Sequence, residues 1–331
     1  MKILFNLMGC GLGNNGGSLT IIRSANTLQE LGHEVMIIDS GRNQHTWSEL
    51  KVPHIKVNEI SNIPAGDIAI ATGYKTVGTT LKFPCKVKTH YIRGWETWQY
   101  QESQIYEIVL KPPTIKIVNS IGLQRKLKEY GVDSYIIRPG NDFHEFSPLD
   151  IRDNTKVVIG GLYHKKHKTK RSDWVIKTSE IIKTRYKNVE LHMFGSDRNP
   201  GHSTIDRYMK QPTPEQKNEF FNRIDIWLSP SSLEGLHIVP QEAMLTGCVV
   251  VTTDAPLAGT EDYIFDNETG FITRNRFTPF CKRISKLVKN KKLRTEVSVK
   301  GRDQIISMGD RKHNMKKMIQ LFERLLNAQK P

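Results

Sequence analysis

The sequence predicts an α/β protein of two domains, each a parallel sheet flanked by helices. Two observations carry this. Short apolar or β-branched runs alternate with helix-period segments along most of the chain, which is the pattern of repeated βαβ units. At 331 residues the chain also exceeds the usual size of a single core, so two domains of roughly 150 to 180 residues are expected. The boundaries fall at 1–148 and 149–310, followed by a last helical segment, 311–331.

Residues 2–8 read as a first strand buried on both faces, 18–31 as a helix with Ile21, Ile22, Ala25, Leu28 and Leu31 at helical spacing, and 34–39 as the next strand. Gly32 ends that helix. Strands at 67–71, 86–92, 115–118 and 134–138 and a helix over 122–130 complete the first half. The second half opens with a strand at 156–160 and continues through a helix at 172–186, a strand at 189–194 and a helix at 214–222. Helices at 280–289, 293–306 and 311–328 finish the chain.

Composition narrows the class. Hydrophobic residues at 37% and charged residues at 25% exclude a disordered chain. No apolar run reaches the ~18 residues of a membrane span. The apolar stretch before Cys10 is too short for a leader and is broken by Asn6, so a cytoplasmic protein is expected. Cys10, Cys85, Cys248 and Cys281 form no C-x-x-C pair, and no paired-carboxylate D-x-D motif is present; neither a metal nor another cofactor is expected.

The formal charge of +15 is uneven, because residues 282–331 hold fifteen Lys or Arg against four acids. A second cluster, Lys165, Lys166, Lys168, Lys170 and Arg171, follows the strand at 156–160. Anionic partners are expected near both.

Function is concentrated in Ser229-Pro-Ser-Ser-Leu-Glu-Gly-Leu-His-Ile-Val-Pro-Gln-Glu-Ala-Met-Leu-Thr-Gly-Cys-Val-Val-Val251. The apolar run 225–229 and the β-branched run 248–252 are strands, joined by a glycine turn and a short helix. Gly235 frees the turn after Glu234, so the helix starts near Leu236, His237 and Ile238 with its first amides unpaired, an anion site. Glu242 lies about two turns in, by the ~1.5 Å rise per residue. Two acceptors flanking an anion-binding helix end suit a sugar nucleotide: acceptors for sugar hydroxyls and the ribose diol, donors for the diphosphate.

The whole string resembles the signature of family 4 glycosyltransferases, with its Glu-Gly-Phe-Gly-type turn, second Glu and Ala-Met-x-x-Gly segment. That resemblance implies two Rossmann-like domains facing a cleft, the GT-B architecture, with the C-terminal helix returning to the first domain. It also implies a sugar moved from a nucleotide-diphosphate donor to an acceptor hydroxyl with retained configuration. Glu234 would bind donor-sugar hydroxyls and Glu242 the ribose. His237 stands where the family usually has a small residue. Gly16 and Gly17, before the first helix, resemble the glycines that let backbone amides approach the donor, and Gly195 ends a strand on the donor side. The family places an Arg and a Lys after the first strand of the second domain. Here Gly161 occupies the Arg position, and the Lys is Lys166 counted from the strand or Lys170 counted back from the 172 helix, the firmer anchor. In this reading Lys170 stabilises the leaving phosphate, which itself takes the acceptor proton.

His90-Tyr-Ile-Arg93-Gly-Trp95-Glu96-Thr-Trp98 sits at a strand's carboxyl end, where ligands collect in open α/β sheets. By resemblance His90 or Glu96 is the pocket residue near the reacting carbon, with Arg93 and Trp95 on the acceptor side. Two core tryptophans beside a surface ion pair is the other use of such a string.

Two other functions compete. Gly11-x-Gly13-x-x-Gly16 after a strand, with Asp39 closing the next, meets the dinucleotide-binding fingerprint of an NAD(P)-dependent oxidoreductase. The basic C-terminal region suits an anionic membrane surface beside a glycan or lipid-linked acceptor, as in surface polysaccharide or glycolipid synthesis at the inner membrane face. By charge alone it equally suits nucleic acid, as in phage-type DNA-base glycosyltransferases, but the family resemblance and the aromatic loop at Trp95 and Trp98 favour the membrane-associated glycan.

Overall fold

The computed structural model describes residues 1–41 and 45–329. It divides into two compact units, Met1–Gly140 with Arg311–Pro331, and Asn141–Asp310.

The first unit holds β1 (Lys2–Asn6), α1 (Gly16–Glu30), β2 (Glu34–Asp39), β3 (His54–Lys56), β4 (Gly66–Ala71), α2 (Val77–Thr80), β5 (Cys85–Ile92), α3 (Glu102–Ile105), β6 (Ile115–Val118), α4 (Ile121–Lys128) and β7 (Tyr135–Ile136). Its sheet is parallel throughout, in the order β3-β2-β1-β4-β5-β6-β7. β1 lies between β2 and β4, and Ile3, Leu4 and Phe5 are fully buried, as a central strand covered on both faces requires. Asn15 caps α1 by accepting from the Ser18 amide at 2.9 Å. Gly32, at φ +88°, ends it, and the His33 amide returns to the Leu28 carbonyl at 3.2 Å. β1 stops at Asn6 rather than residue 8, because the Leu7 carbonyl turns to accept from the Cys10 and Gly11 amides.

The second unit holds β8 (Val157–Leu162), α5 (Ser172–Lys183), β9 (Val189–Gly195), β10 (Arg207–Lys210), α6 (Pro214–Asn222), β11 (Ile226–Ser229), α7 (Ile238–Leu245), β12 (Val249–Thr253), β13 (Phe271–Thr273), α8 (Phe277–Lys289) and α9 (Lys291–Ser307). Its parallel order is β10-β9-β8-β11-β12-β13. β8 runs between β9 and β11, so chain order reverses there, and the loops leaving β8 and β11 share the carboxyl edge where α/β sheets take their ligands.

The last helix, α10 (Arg311–Asn327), belongs to the first unit. It places Met315, Met318, Leu321 and Phe322 in the same core as Ile21, Ile22, Ala25 and Leu28 of α1.

Several of the late arginines are structural. Arg294 donates to the Leu287 and Val288 carbonyls at the end of α8 at 2.7 and 3.0 Å, Arg302 to the Leu245 carbonyl ending α7 at 3.1 Å, and Arg311 to the Pro139 carbonyl at 3.3 Å. The exposed cations of this region are mostly lysines. Among the described residues no helix is long and apolar enough to cross a membrane.

Candidate active site

The loop leaving β8 is shaped by its far end. The Ser172 hydroxyl donates to the Leu162 carbonyl and accepts from the His164 amide, at 3.0 and 2.9 Å. Arg171 takes a left-handed backbone, φ 50°. Its guanidinium lies 4.5 Å over Trp174 and donates to Asn275 Oδ1 and the Pro230 carbonyl. The Ser232 amide donates to the Thr169 carbonyl at 2.9 Å. Residues 169–171 are therefore stitched to the loop leaving β11.

That stitching brings Lys170 to Glu234. Lys170 Nζ donates to Glu234 Oε1 at 2.6 Å, and Ser231 Oγ donates to the same oxygen at 2.5 Å. Burial pushes the Glu234 carboxyl up, but His237, Lys170 and Ser231 outweigh it and hold the group at about 2. Lys166, the alternative in the sequence, is exposed.

The turn carrying Glu234 is held from behind by 257–263. The Glu234 amide donates to the Leu257 carbonyl at 2.7 Å, the His237 amide to the Gly259 carbonyl at 2.9 Å, and the Tyr263 hydroxyl to the His237 carbonyl at 2.7 Å. Gly259 has φ +71°, and a Cβ there would stand 2.6 Å from Glu234 Cβ. This backing loop is a functional element that the sequence did not announce: its only signal is a glycine before Thr260.

His237 is the N-cap of α7. Its amide is spent on Gly259 and Pro240 has none, so the helix-end anion site expected over 235–238 rests on the first-turn amides of Ile238 and Val239. The His237 ring is buried, with Nδ1 3.0 Å from Ser229 Oγ and Nε2 3.6 Å from Glu234 Oε1. Burial holds its pKa down, to about 4.

Glu242 faces Lys217 of α6, with Oε2 and Nζ 2.6 Å apart, and Lys217 lies 5.2 Å over the Phe146 ring. Gly195 ends β9, where a Cβ would meet the Tyr163 carbonyl oxygen at 2.2 Å. A neighbouring backbone, rather than a ligand, already demands that glycine. Gly161, in the expected Arg position, is a buried strand residue whose absent Cβ makes room for Val175.

In the first unit the acceptor-side residues are placed differently from expectation. Gly16 opens α1 with nothing near its absent Cβ, whereas Gly17 lies against Asn15 and Arg93. Arg93 is a half-buried clamp, donating to the Gly17 carbonyl at 2.6 Å and the Thr72 carbonyl at 2.8 Å. His90 is fully enclosed in β5 against Tyr74, and burial takes its pKa down to about 3; it does not reach the strand's open end. Trp95 is also core, 2% exposed, tilted on Tyr130 beneath Lys126, with Nε1 donating to Glu102. Trp98, at 61% exposure, is the free aromatic of that loop. Glu96 is partly exposed, and burial raises its carboxyl pKa.

Asp39 is fully buried, accepting from the Gly41 amide at 2.8 Å and facing His54 Nε2 at 3.3 Å. The acid that a dinucleotide site would offer to a ribose is thus occupied within the protein. Among the described residues no group of three or more His, Cys, Asp or Glu is placed to hold a metal ion.

Residues 153–290 match the family model described as glycosyl transferases group 1. No curated protein matches the chain. Among solved structures, sucrose-phosphate synthase from Thermosynechococcus elongatus superposes with a TM-score of 0.80 over 99% of this chain and 100% of that one, at 13% identity. Anabaena HepE in complex with UDP-glucose gives 0.79 over 98% and 100%, at 12% identity. The pneumococcal O-GlcNAc transferase GtfA in complex with UDP and GlcNAc gives 0.72 over 98% and 99%, at 11% identity. At these identities the likeness is one of fold. The family match lies on residues 153–290 of the second unit, and the two parallel-sheet α/β units superpose on these neighbours across the chain: the protein has the GT-B fold and carries a glycosyl transferases group 1 match in its second unit, in keeping with the family 4 signature it resembles.

Proposed function

We propose that the chain moves a sugar from a nucleoside-diphosphate sugar to a hydroxyl of a glycan or lipid-linked acceptor, with retention and without a metal. The observation that carries this is the Lys170–Glu234 pair, 2.6 Å apart at the head of α7. It offers a cation and two free amides to the diphosphate beside a carboxylate for the sugar. The solved complexes of HepE with UDP-glucose and of GtfA with UDP and GlcNAc, proteins of the same fold, support a uridine nucleotide.

In this reading Glu234 accepts from donor-sugar hydroxyls and Glu242, beside Lys217, from the ribose diol. Lys170 and the Ile238 and Val239 amides face the diphosphate. The bond from the anomeric carbon to the phosphate oxygen breaks, and its electron pair stays on that oxygen. The acceptor oxygen bonds the anomeric carbon on the same face, and its proton passes to the leaving phosphate. Charge developing there is what Lys170 stabilises. Exposed lysines of α9 and α10 support a peripheral position on an anionic membrane surface.

The test is release of UDP from UDP-sugars, with the product anomer read by NMR. Turnover should persist in EDTA, and Lys170→Ala should lower kcat by about 100-fold or more, the scale for losing one electrostatic stabiliser of the leaving charge. Turnover lost in EDTA and restored by Mg²⁺ or Mn²⁺, or an unchanged Lys170→Ala enzyme, would overturn the mechanism.

A further inference from the structure

His237 differs from the other residues of the signature turn in having an unsatisfied polar atom. The side chain is 6% exposed, and its Nε2 has no hydrogen-bond partner. A buried polar nitrogen without a partner is costly, so its position calls for an occupant.

The surroundings settle which nitrogen carries the proton. Nε2 stands 3.6 Å from Glu234 Oε1, and that carboxylate is ionised. A lone pair on Nε2 would face negative charge, whereas an N–H there is attracted to it. Nδ1 then accepts, and the Ser229 hydroxyl, 3.0 Å away and itself buried, donates. Burial keeps the ring neutral. Glu234 Oε1 already receives Lys170 and Ser231, and at 3.6 Å the imidazole N–H falls short of it.

We propose that His237 and Glu234 together read one hydroxyl of the donor sugar: Nε2–H donates to the hydroxyl oxygen while the Glu234 carboxylate accepts the hydroxyl proton. A hydroxyl suits this pair because it is donor and acceptor at once. His237 is then a specificity-determining residue, selecting donors in which that hydroxyl is free and correctly oriented. The imidazole also fills space that a small residue at this position would leave open. This inference rests on the donor-site reading of Glu234.

Two measurements test it, one of them independent of any donor. In the ligand-free protein at pH 7, ¹⁵N-resolved imidazole NMR should show His237 neutral with the proton on Nε2. A proton on Nδ1, or a charged ring, overturns the inference whatever the enzyme's substrate. The second measurement compares kcat/KM for UDP-glucose and its monodeoxy analogues in the wild type, His237→Ala and His237→Gln, with melting curves and UDP affinity as controls on the fold. One deoxy position should cost the wild type about 10- to 100-fold, the range for leaving such polar groups unpaired. That penalty should shrink to a few-fold in His237→Ala while UDP affinity holds. Equal penalties in wild type and variants at every position would make His237 a packing residue. Failure of the wild type to bind UDP or any UDP-sugar would instead overturn the donor-site reading beneath the inference.

Discussion

Lys217 Nζ stands 2.6 Å from Glu242 Oε2, both side chains largely withdrawn from solvent. The pair sits on two different helices, α6 and α7, and is coupled as buried ion pairs are: removing one partner strands the other. Lys217→Met should therefore destabilise the second unit by about 3 to 5 kcal/mol. The double variant Lys217→Met with Glu242→Gln should recover most of that loss. Urea titrations of the four proteins check the cycle, and additive losses would mean the two groups are solvated independently. On the proposed role of Glu242 toward the ribose diol, UDP should bind the double variant more weakly by about 1 to 3 kcal/mol; unchanged affinity would remove Glu242 from the donor site.

Gly259 should be intolerant of the smallest side chain. At φ +71° an alanine is strained, and its Cβ would meet Glu234 Cβ at 2.6 Å and the His237 amide at 3.0 Å. Gly259→Ala should cost about 1 to 3 kcal/mol and, on the proposed role of Glu234 toward the donor sugar, should lower kcat more than it weakens UDP binding, because it displaces that carboxylate first. Melting curves together with steady-state kinetics read both effects; wild-type values of both would show that the backing loop yields freely.

Acid should loosen both units through two buried histidines before most carboxylates titrate. Burial holds the His90 pKa down to about 3 and that of His237 to about 4, whereas in the unfolded chain each sits near 6.5. Between pH 6.5 and 4.5 the unfolded chain takes up protons that the native chain refuses, so stability falls as pH falls, by about 1.4 kcal/mol per unit for each ring. Glu234, held at about 2, acts lower: its contribution is present above about 4.5 and lost as pH falls toward 2. Denaturation at pH 7, 6 and 5 should show a shallower loss in His90→Leu for the first unit and in His237→Gln for the second. Slopes parallel to the wild type would mean the rings protonate in place.

If the enzyme works at a membrane surface, the outer face of α10 is one place where binding should be seen. Lys312, Lys316 and Lys317 are exposed there, opposite Met315, Met318, Leu321 and Phe322. At about 1 kcal/mol per cation near an anionic surface, reversing all three to Glu should abolish co-sedimentation with phosphatidylserine vesicles and leave UDP affinity unchanged. Retained vesicle binding would place the contact elsewhere, and tight duplex-DNA binding without vesicle preference would point to a nucleic-acid acceptor.

The parallel sheets were legible because a strand buried on both faces must read as an apolar run, as Ile3 to Phe5 and Val249 to Val251 do. The edge strands β3 and β10 were not, since His54-Ile-Lys56 and Arg207-Tyr-Met-Lys210 are short and carry polar residues that a one-sided position allows. In the site, Glu234 stood out through the signature string and Lys170 through the helix start at Ser172, but the contact between them, made across two loops, had no local signal. Trp95 was misplaced because nothing local distinguishes a tryptophan folded under Tyr130 and Lys126 from one offered to a ligand. The role of Gly259 was invisible, because it consists of backbone contacts made to another segment.

The order of synthesis adds a constraint through α10. Met315, Met318, Leu321 and Phe322 of α10 fill the core of the first unit, so the matching surface of α1 stays uncovered until α10 has been made and released. The second unit, continuous from Asn141 to Asp310, is complete before then. Folding during translation therefore runs from the later unit to the earlier one, reversing the usual N-terminal-first sequence. A chain truncated after residue 310 should have a second unit that resists protease while its first unit remains open to a chaperone.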